Sequence, residues 1–293
     1  MPYFILYFPV FSRLIIIGVG LLGGSIGLAT HKYGLAQTVI GVGRTPKTLE
    51  IAARNGIIDE AHLSLETIPA STDSDQTLVV VCTPVADIAR NVFAAIKHFG
   101  HSGRLLLTDV GSTKATLVQE ISDLRFIGSH PIAGSERSGP DAADAELFRN
   151  RLTVLTPTKN HSTNDLNLLR RFWQTLGSHV IEMDAVKHDE ILAVTSHLPH
   201  LLSVILTRMV RKDERLFTGT GFAGMTRLAA GSPEIWRDIL LDNRDHVLDA
   251  LHRFDVQLQE LIKTLQSKNT ETIEQLLHEA KLIADSEYTS GFP

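Results

Sequence analysis

The sequence predicts an α/β half followed by an all-α half. Short apolar runs that stop at glycine, proline or serine recur as far as Glu182. From Asp184 onward, long segments with helical periodicity replace them. Between Leu14 and Ala29, an apolar run leads straight into a G-x-G-x-x-G spacing. With 293 residues, 43% of them apolar, the chain can bury two cores. The expected domains are residues 1–183, with 1–12 as an N-terminal extension, and residues 184–293.

Leu14-Ile15-Ile16-Ile17 is expected as a buried parallel strand. Gly18 makes the tight turn after it, Gly20 leaves room for a pyrophosphate, and Gly23 lets the following helix lie close to the strand. Leu21 and Leu22 open that helix, where free N–H groups hold phosphates. This is a dinucleotide-binding (Rossmann) start with a mostly parallel sheet.

Thr38–Val42 is the second strand. At its end such folds place a carboxylate that accepts from the adenosine ribose. Here the chain has Gly43-Arg44-Thr45-Pro46-Lys47. Gly43 carries no carboxylate, whereas Arg44, Thr45 and Lys47 offer a planar fork, a hydroxyl and a second cation to a 2′-phosphate. NADP is therefore the expected cofactor, against the alternative of a solvated surface arginine.

Leu78–Cys82 is a third buried strand. It runs into Thr83 and Pro84, expected as N-cap and first helical residue at the cofactor's edge. Leu105–Val110 follows, ending in Gly111-Ser112, with Asp109 expected among the cofactor contacts. Phe126–Pro131 is again a strand end and carries His130. Ser112 and His130 thus fall at the ends of successive strands, where open α/β sheets bind ligands. A neutral histidine there can take a proton from a substrate hydroxyl, and a serine nearby can orient it. Ile132–Glu136 is a loop, Leu152–Thr156 a further strand, and Val180–Glu182 closes this half.

The helical segments are expected at 187–212, 233–241, 244–268 and 271–286. In the third, Val247, Leu248, Leu251, Phe254, Leu258, Leu261, Ile262 and Leu265 form a wide apolar stripe that needs a cover. Pro199 should kink the first. His197 and His200, three apart, share a face; they suit a substrate pocket, a metal pair or a buried structural pair. No carboxylate or cysteine set completes a metal shell, so no metal is expected. Arg227 follows a glycine-rich loop and either clamps a carboxylate or forms a structural ion pair. Ser232-Pro233-Glu234 is a helix start, with Trp236 just inside it.

Net charge is −5 and no long basic run occurs, which argues against nucleic acid as a partner. The single cysteine, Cys82, excludes an internal disulfide and fits a cytoplasmic location. The glycine fingerprint lies inside the apolar N-terminal stretch, so Leu14–Ala29 is expected as core and not as a membrane segment, with Met1–Ser12 an extension of no assigned role.

Taken together, GVGLLGGSIG (18–27), TDVGSTK (108–114), GSHPIAGSE (128–136), TSHLPH (195–200) and GFAGMTRLA (221–229) with Trp236 resemble the prephenate/arogenate dehydrogenases. The resemblance covers nearly the whole chain from Arg13. It departs at Ala223-Gly224, where that family often has Arg-Asp. The resemblance implies oxidative decarboxylation of a cyclohexadienol in tyrosine biosynthesis. In it, His130 would act on the 4-hydroxyl, with Ser112 beside it, and Arg227, His197, His200 and Trp236 would form the substrate pocket. It also implies a homodimer through an all-α dimerisation domain. Compact NADP-dependent members point to arogenate over prephenate. Two other readings compete: a β-hydroxyacid dehydrogenase using Lys187, and a non-catalytic NADP-binding sensor.

Overall fold

The computed structural model describes residues 9–70, 72, 75–101, 104–134 and 137–289. The expected extension at 1–12 lies mostly outside them, but its last residues do not: Phe11 and Ser12 open the first strand. The Phe11 side chain is buried edge-on against Phe172.

Strands β1 (Phe11–Ile17), β2 (Ala36–Val42), β3 (Glu60–His62), β4 (Gln76–Val81) and β5 (Arg104–Asp109) form a parallel sheet in the order β3-β2-β1-β4-β5. Helices α1 (Leu21–Tyr33), α2 (Pro46–Arg54) and α3 (Val85–Phe99) connect them. The β1 run is apolar at successive positions because both sheet faces are covered. Ile16 and Val80 pack with Ile26 and Trp173 on one face. Ile15 and Val79 pack with Ile88 and Phe99 on the other. Sequence periodicity misses β3, which is three residues long and exposed or half-exposed.

Register decides where the site lies. Ile17 stands opposite Val42 and Val81, and Val81 stands opposite Asp109. Four strands therefore end along one edge, and the chain leaves β1 and β4 in opposite directions across the sheet. That is the crevice in which open α/β sheets take ligands.

After α4 (Ala115–Glu120), β6 (Gly128–Pro131), β7 (Leu152–Thr156) and β8 (His179–Glu182) make a second sheet, with α5 (Thr163–Thr175) between the last two. Phe126 first continues the parallel sheet beside Leu107. β6 then pairs antiparallel with β7, and β7 parallel with β8. In the expected loop at 132–136, Ile132–Gly134 has no regular structure; Ser135 and Glu136 lie outside the described residues.

The remainder is helical: α6 (Ala185–Leu192), α7 (Leu198–Met209), α8 (Thr220–Thr226), α9 (Pro233–Asp242), α10 (Arg244–Ser267) and α11 (Thr270–Thr289). Asp184 caps α6 by accepting from the Val186 and Lys187 N–H groups, and Ser232 caps α9. The glycine-rich stretch before Arg227 was expected to be a loop. It is instead α8, followed by a 3-10 turn at Arg227–Ala230. Pro199, expected to kink the helix, lies one residue past a change in its winding. A π turn at Ala193–His197 precedes it, with the Leu198 N–H donating to the Ala193 carbonyl.

Ala185–Met209 is long and apolar enough to cross a membrane. It also carries His188, Asp189, His197 and His200, all buried within the protein. Of the α10 stripe, Val247 is buried while Leu248, Leu258, Ile262 and Leu265 are exposed.

Candidate active site

A cleft of about 480 Å³ opens at the common strand edge, lined by Gly18, Gly20, Gly43, Arg44, Thr45, Thr83 and Pro84 among others. Its floor fits a dinucleotide. Gly18 has φ +97°, and a Cβ there would meet the Cys82 carbonyl oxygen at 2.8 Å. A Cβ on Gly23 would lie 2.2 Å from the Gly18 oxygen. Around Gly20 there is no heavy atom within 4 Å of such a Cβ, so the backbone at the mouth of α1 is open to a phosphate. Leu21 and Leu22 form the first turn of that helix. Arg44 and Thr45 face the cleft at the tip of β2, and no carboxylate stands at Gly43.

Two expectations are overturned here: Asp109 as a cofactor contact and Thr83 as the cap of α3, although Thr83 does line the cleft. Asp109 does not face the cleft. It is fully buried, pairs with the equally buried Lys114, and accepts from the Gly111 and Ser129 N–H groups at 2.8 and 3.1 Å. A buried carboxylate must be paired, and here the partner is a lysine of its own loop. Thr83 does not cap α3. The cap position belongs to Pro84, and Thr83 Oγ1 accepts from Asn91 Nδ2 at 3.2 Å. Lys47 lies exposed in the first turn of α2 and is not among the residues lining the cleft.

His130 sits near the end of β6, next to a rigid anchor. The Ser129 hydroxyl meets Thr108 at 2.6 Å and accepts from Trp173 Nε1 at 3.1 Å. His130 Nδ1 lies 2.8 Å from Nε2 of His188 on α6, and His188 Nδ1 lies 2.7 Å from Asp189 Oδ1. The Asp189 carboxylate accepts from the N–H groups of Lys114 and Ala115 at 2.9 and 2.8 Å. The helical half is thereby bolted to the loop that carries Ser112. Burial pushes the His130 pKa well below the usual 6.5, and His188, Lys114 and His197 push it the same way. Ser112 is half-buried in that loop.

The π turn aims His197 inward. Asn243 Nδ2 lies 3.1 Å from His197 Nδ1 and donates to the Asp189 carbonyl at 2.8 Å. Burial lowers the His197 pKa to about 4, outweighing the upward pull of Asp189. His200 is lowered mainly by burial, with a bond to the Leu228 backbone acting in the opposite direction. Trp236 stacks on His200 and meets His197 edge-on. The expected group of His197, His200 and Trp236 is therefore assembled. Arg227 lies nearby, exposed, in no ion pair with a described residue. Among the described residues no cluster of three His, Cys, Asp or Glu side chains is arranged for a metal. Lys187 pairs with Glu190 on the exposed face of α6, away from this group.

Sequence reasoning missed His188, Asp189 and Asn243. One signal was present: Asp189, His197 and His200 recur at spacings of eight and three, which place polar groups on one face of an apolar helix.

Residues 26–182 match the prephenate dehydrogenase nucleotide-binding domain, and residues 184–279 match the prephenate dehydrogenase dimerization domain. The chain is 33% identical to prephenate dehydrogenase of Bacillus subtilis (strain 168), over 96% of this chain and 76% of that protein. It is 30% identical to cyclohexadienyl dehydrogenase of Zymomonas mobilis, over 89% and 90%. Among solved structures, prephenate dehydrogenase from Aquifex aeolicus in complex with hydroxyphenyl propionate and NAD+ aligns with a TM-score of 0.85 at 30% identity, over 94% and 98% of the two chains. Synechocystis arogenate dehydrogenase aligns with a TM-score of 0.76 at 28% identity, over 94% and 99%.

Proposed function

The chain belongs to the prephenate dehydrogenase family, and from that premise we propose that it oxidatively decarboxylates arogenate with NADP+, in tyrosine biosynthesis. The observation that carries this is His130. It is a histidine kept neutral by burial, bonded through Nδ1 to His188, at a strand end of a dinucleotide fold.

Nε2 of His130 takes the proton of the substrate's ring hydroxyl. The dinucleotide, when bound, accepts the hydride leaving the carbinol carbon. The ring carboxylate departs as CO2, its bonding electron pair makes the ring aromatic, and His130 returns the proton to the phenolic oxygen. Ser112 orients the hydroxyl. Arg227 holds a substrate carboxylate, supported by its exposure and by its having no acidic partner among the described residues. His197, His200 and Trp236 wall the ring.

Gly18, Gly20, Leu21, Leu22 and Gly23 hold the pyrophosphate. Arg44 and Thr45 hold the 2′-phosphate, supported by their place on the cleft. The domains divide at 183/184. Two chains pair through the helical half in the cytoplasm, covering the exposed residues of α10 and α11.

Prephenate is the second reading, favoured by the Bacillus and Aquifex relatives, both prephenate dehydrogenases. Reduced-nicotinamide absorbance with arogenate or prephenate and NADP+ or NAD+, in all four pairings, tests both. Turnover of neither substrate would overturn the proposal.

A further inference from the structure

We propose that His188 and Asp189 fix the tautomer of His130, acting as positioning residues that leave its Nε2 free to accept a proton. The inference rests on the role given to His130 above, and it follows from counting donors and acceptors.

Asp189 is buried, at 2% exposure. Its two oxygens receive peptide N–H groups from Lys114 and Ala115. A peptide N–H can only donate, so both contacts favour an ionised carboxylate. An ionised carboxylate can only accept. The His188 nitrogen 2.7 Å away, Nδ1, must therefore carry a proton. His188 is fully buried, and in its neutral form Nε2 then has a lone pair. That lone pair faces His130 Nδ1 at 2.8 Å. Two lone pairs cannot share such a contact, so His130 Nδ1 is the donor. In neutral His130 this leaves Nε2 unprotonated.

The direction of the chain is thus set at its far end by two backbone donors, through two imidazole rings. Both ring nitrogens of His188 have a partner, which also fixes which way that ring is turned. When His130 takes a proton, its Nδ1–H strengthens against His188. The carboxylate one ring away then supplies the countercharge. The charged and titratable groups around His130 are His188 and Asp189 from α6, Lys114 with its partner Asp109 from the loop after β5, and His197 from the π turn. Only Asp189 is both anionic and joined to His130 through hydrogen bonds.

Asp189→Asn makes the sharpest test. With the Asn oxygen in the place of Oδ2, it keeps the Ala115 N–H at 2.8 Å and the Lys114 N–H at 3.2 Å, and the amide nitrogen, in the place of Oδ1, gives up the shorter Lys114 contact and donates to His188 Nδ1. Every bond then reverses, and His130 is left with a proton on Nε2. The experiment is 15N NMR of histidine-labelled full-length protein, with the His130 signals assigned by their loss in His130→Asn. We expect wild-type His130 protonated on Nδ1 and Asp189→Asn protonated on Nε2. On the substrate found to turn over, Asp189→Asn should lose about 10³–10⁴ in kcat, the scale of a wrong tautomer in a catalytic triad. KM and dinucleotide affinity should change by less than about threefold.

His188→Gln and His188→Leu cover the case in which Asp189→Asn does not fold. Glutamine offers His130 Nδ1–H an acceptor oxygen, and leucine offers none. Glutamine should therefore keep the Nδ1–H tautomer and retain at least about tenfold more kcat than leucine. Wild-type His130 protonated on Nε2 overturns the proposal, as does an Asp189→Asn protein with an unchanged His130 ring, or equal kcat in the two His188 variants. If no cyclohexadienol is turned over, the functional reading fails, and the wild-type ring signals still decide the tautomer.

Discussion

The rings of His200 and Trp236 stack with centroids 3.5 Å apart and planes 9° from parallel. The stack ties α7 to α9 across the turn that carries Arg227. Gly231 fits beneath the indole, where a Cβ would lie 2.5 Å from Trp236 Nε1. The wall next to Arg227 is thus rigid, while the guanidinium itself is exposed.

Arg227→Gln should raise KM for the substrate by roughly tenfold or more, the worth of one charge-assisted hydrogen bond. Steady-state kinetics should show kcat changed little. An unchanged KM would remove the carboxylate clamp from the mechanism.

His130→Asn should lose about 10²–10⁴ in kcat, the usual contribution of a positioned base. Dinucleotide binding, followed by fluorescence titration, should stay at the wild-type level. Near-normal turnover would show that another group takes the proton.

The pH dependence follows from the direction of the His130 shift. Its pKa lies well below 6.5, so the neutral base persists as pH falls through 6.5. The kcat profile should be flat there and drop only at lower pH, as the imidazole protonates. An acid limb centred above 6.5 would mean the ring is more easily charged than free histidine, contrary to its burial.

Arg44→Ala should weaken NADP+ by roughly tenfold or more and leave NAD+ almost unchanged, because only the former carries the 2′-phosphate. Equal loss for both dinucleotides, or for neither, would place the guanidinium away from that phosphate.

Gly20→Ala and Gly23→Ala should separate binding from folding. Gly20 has empty space where the methyl would go, so its variant should keep the wild-type Tm and lose dinucleotide affinity. Gly23 has the Gly18 oxygen at 2.2 Å, so its variant should lower Tm. Thermal melts beside binding titrations read both, and an unchanged affinity in Gly20→Ala would contradict phosphate approach at that turn.

The α/β-then-α division is legible in the amino-acid sequence, because strands buried on both faces leave continuous apolar runs and amphipathic helices leave a 3.6-residue period. So are the glycine turn, the Ser232 cap, and Ser112 and His130 near strand ends, since each depends on neighbours a few residues away. What surrounds them comes from packing between distant elements. His130 and His188 are 58 residues apart, and they meet because α6 packs against β6 and the loop before α4. Asp109 pairs with Lys114 and lies away from the cofactor cleft. The π turn before Pro199 places His197 beside Asn243. Periodicity reports which face of an element is apolar. It does not encode which polar side chain from a distant element will satisfy a buried hydrogen-bonding group, and that pairing is what assembles this site.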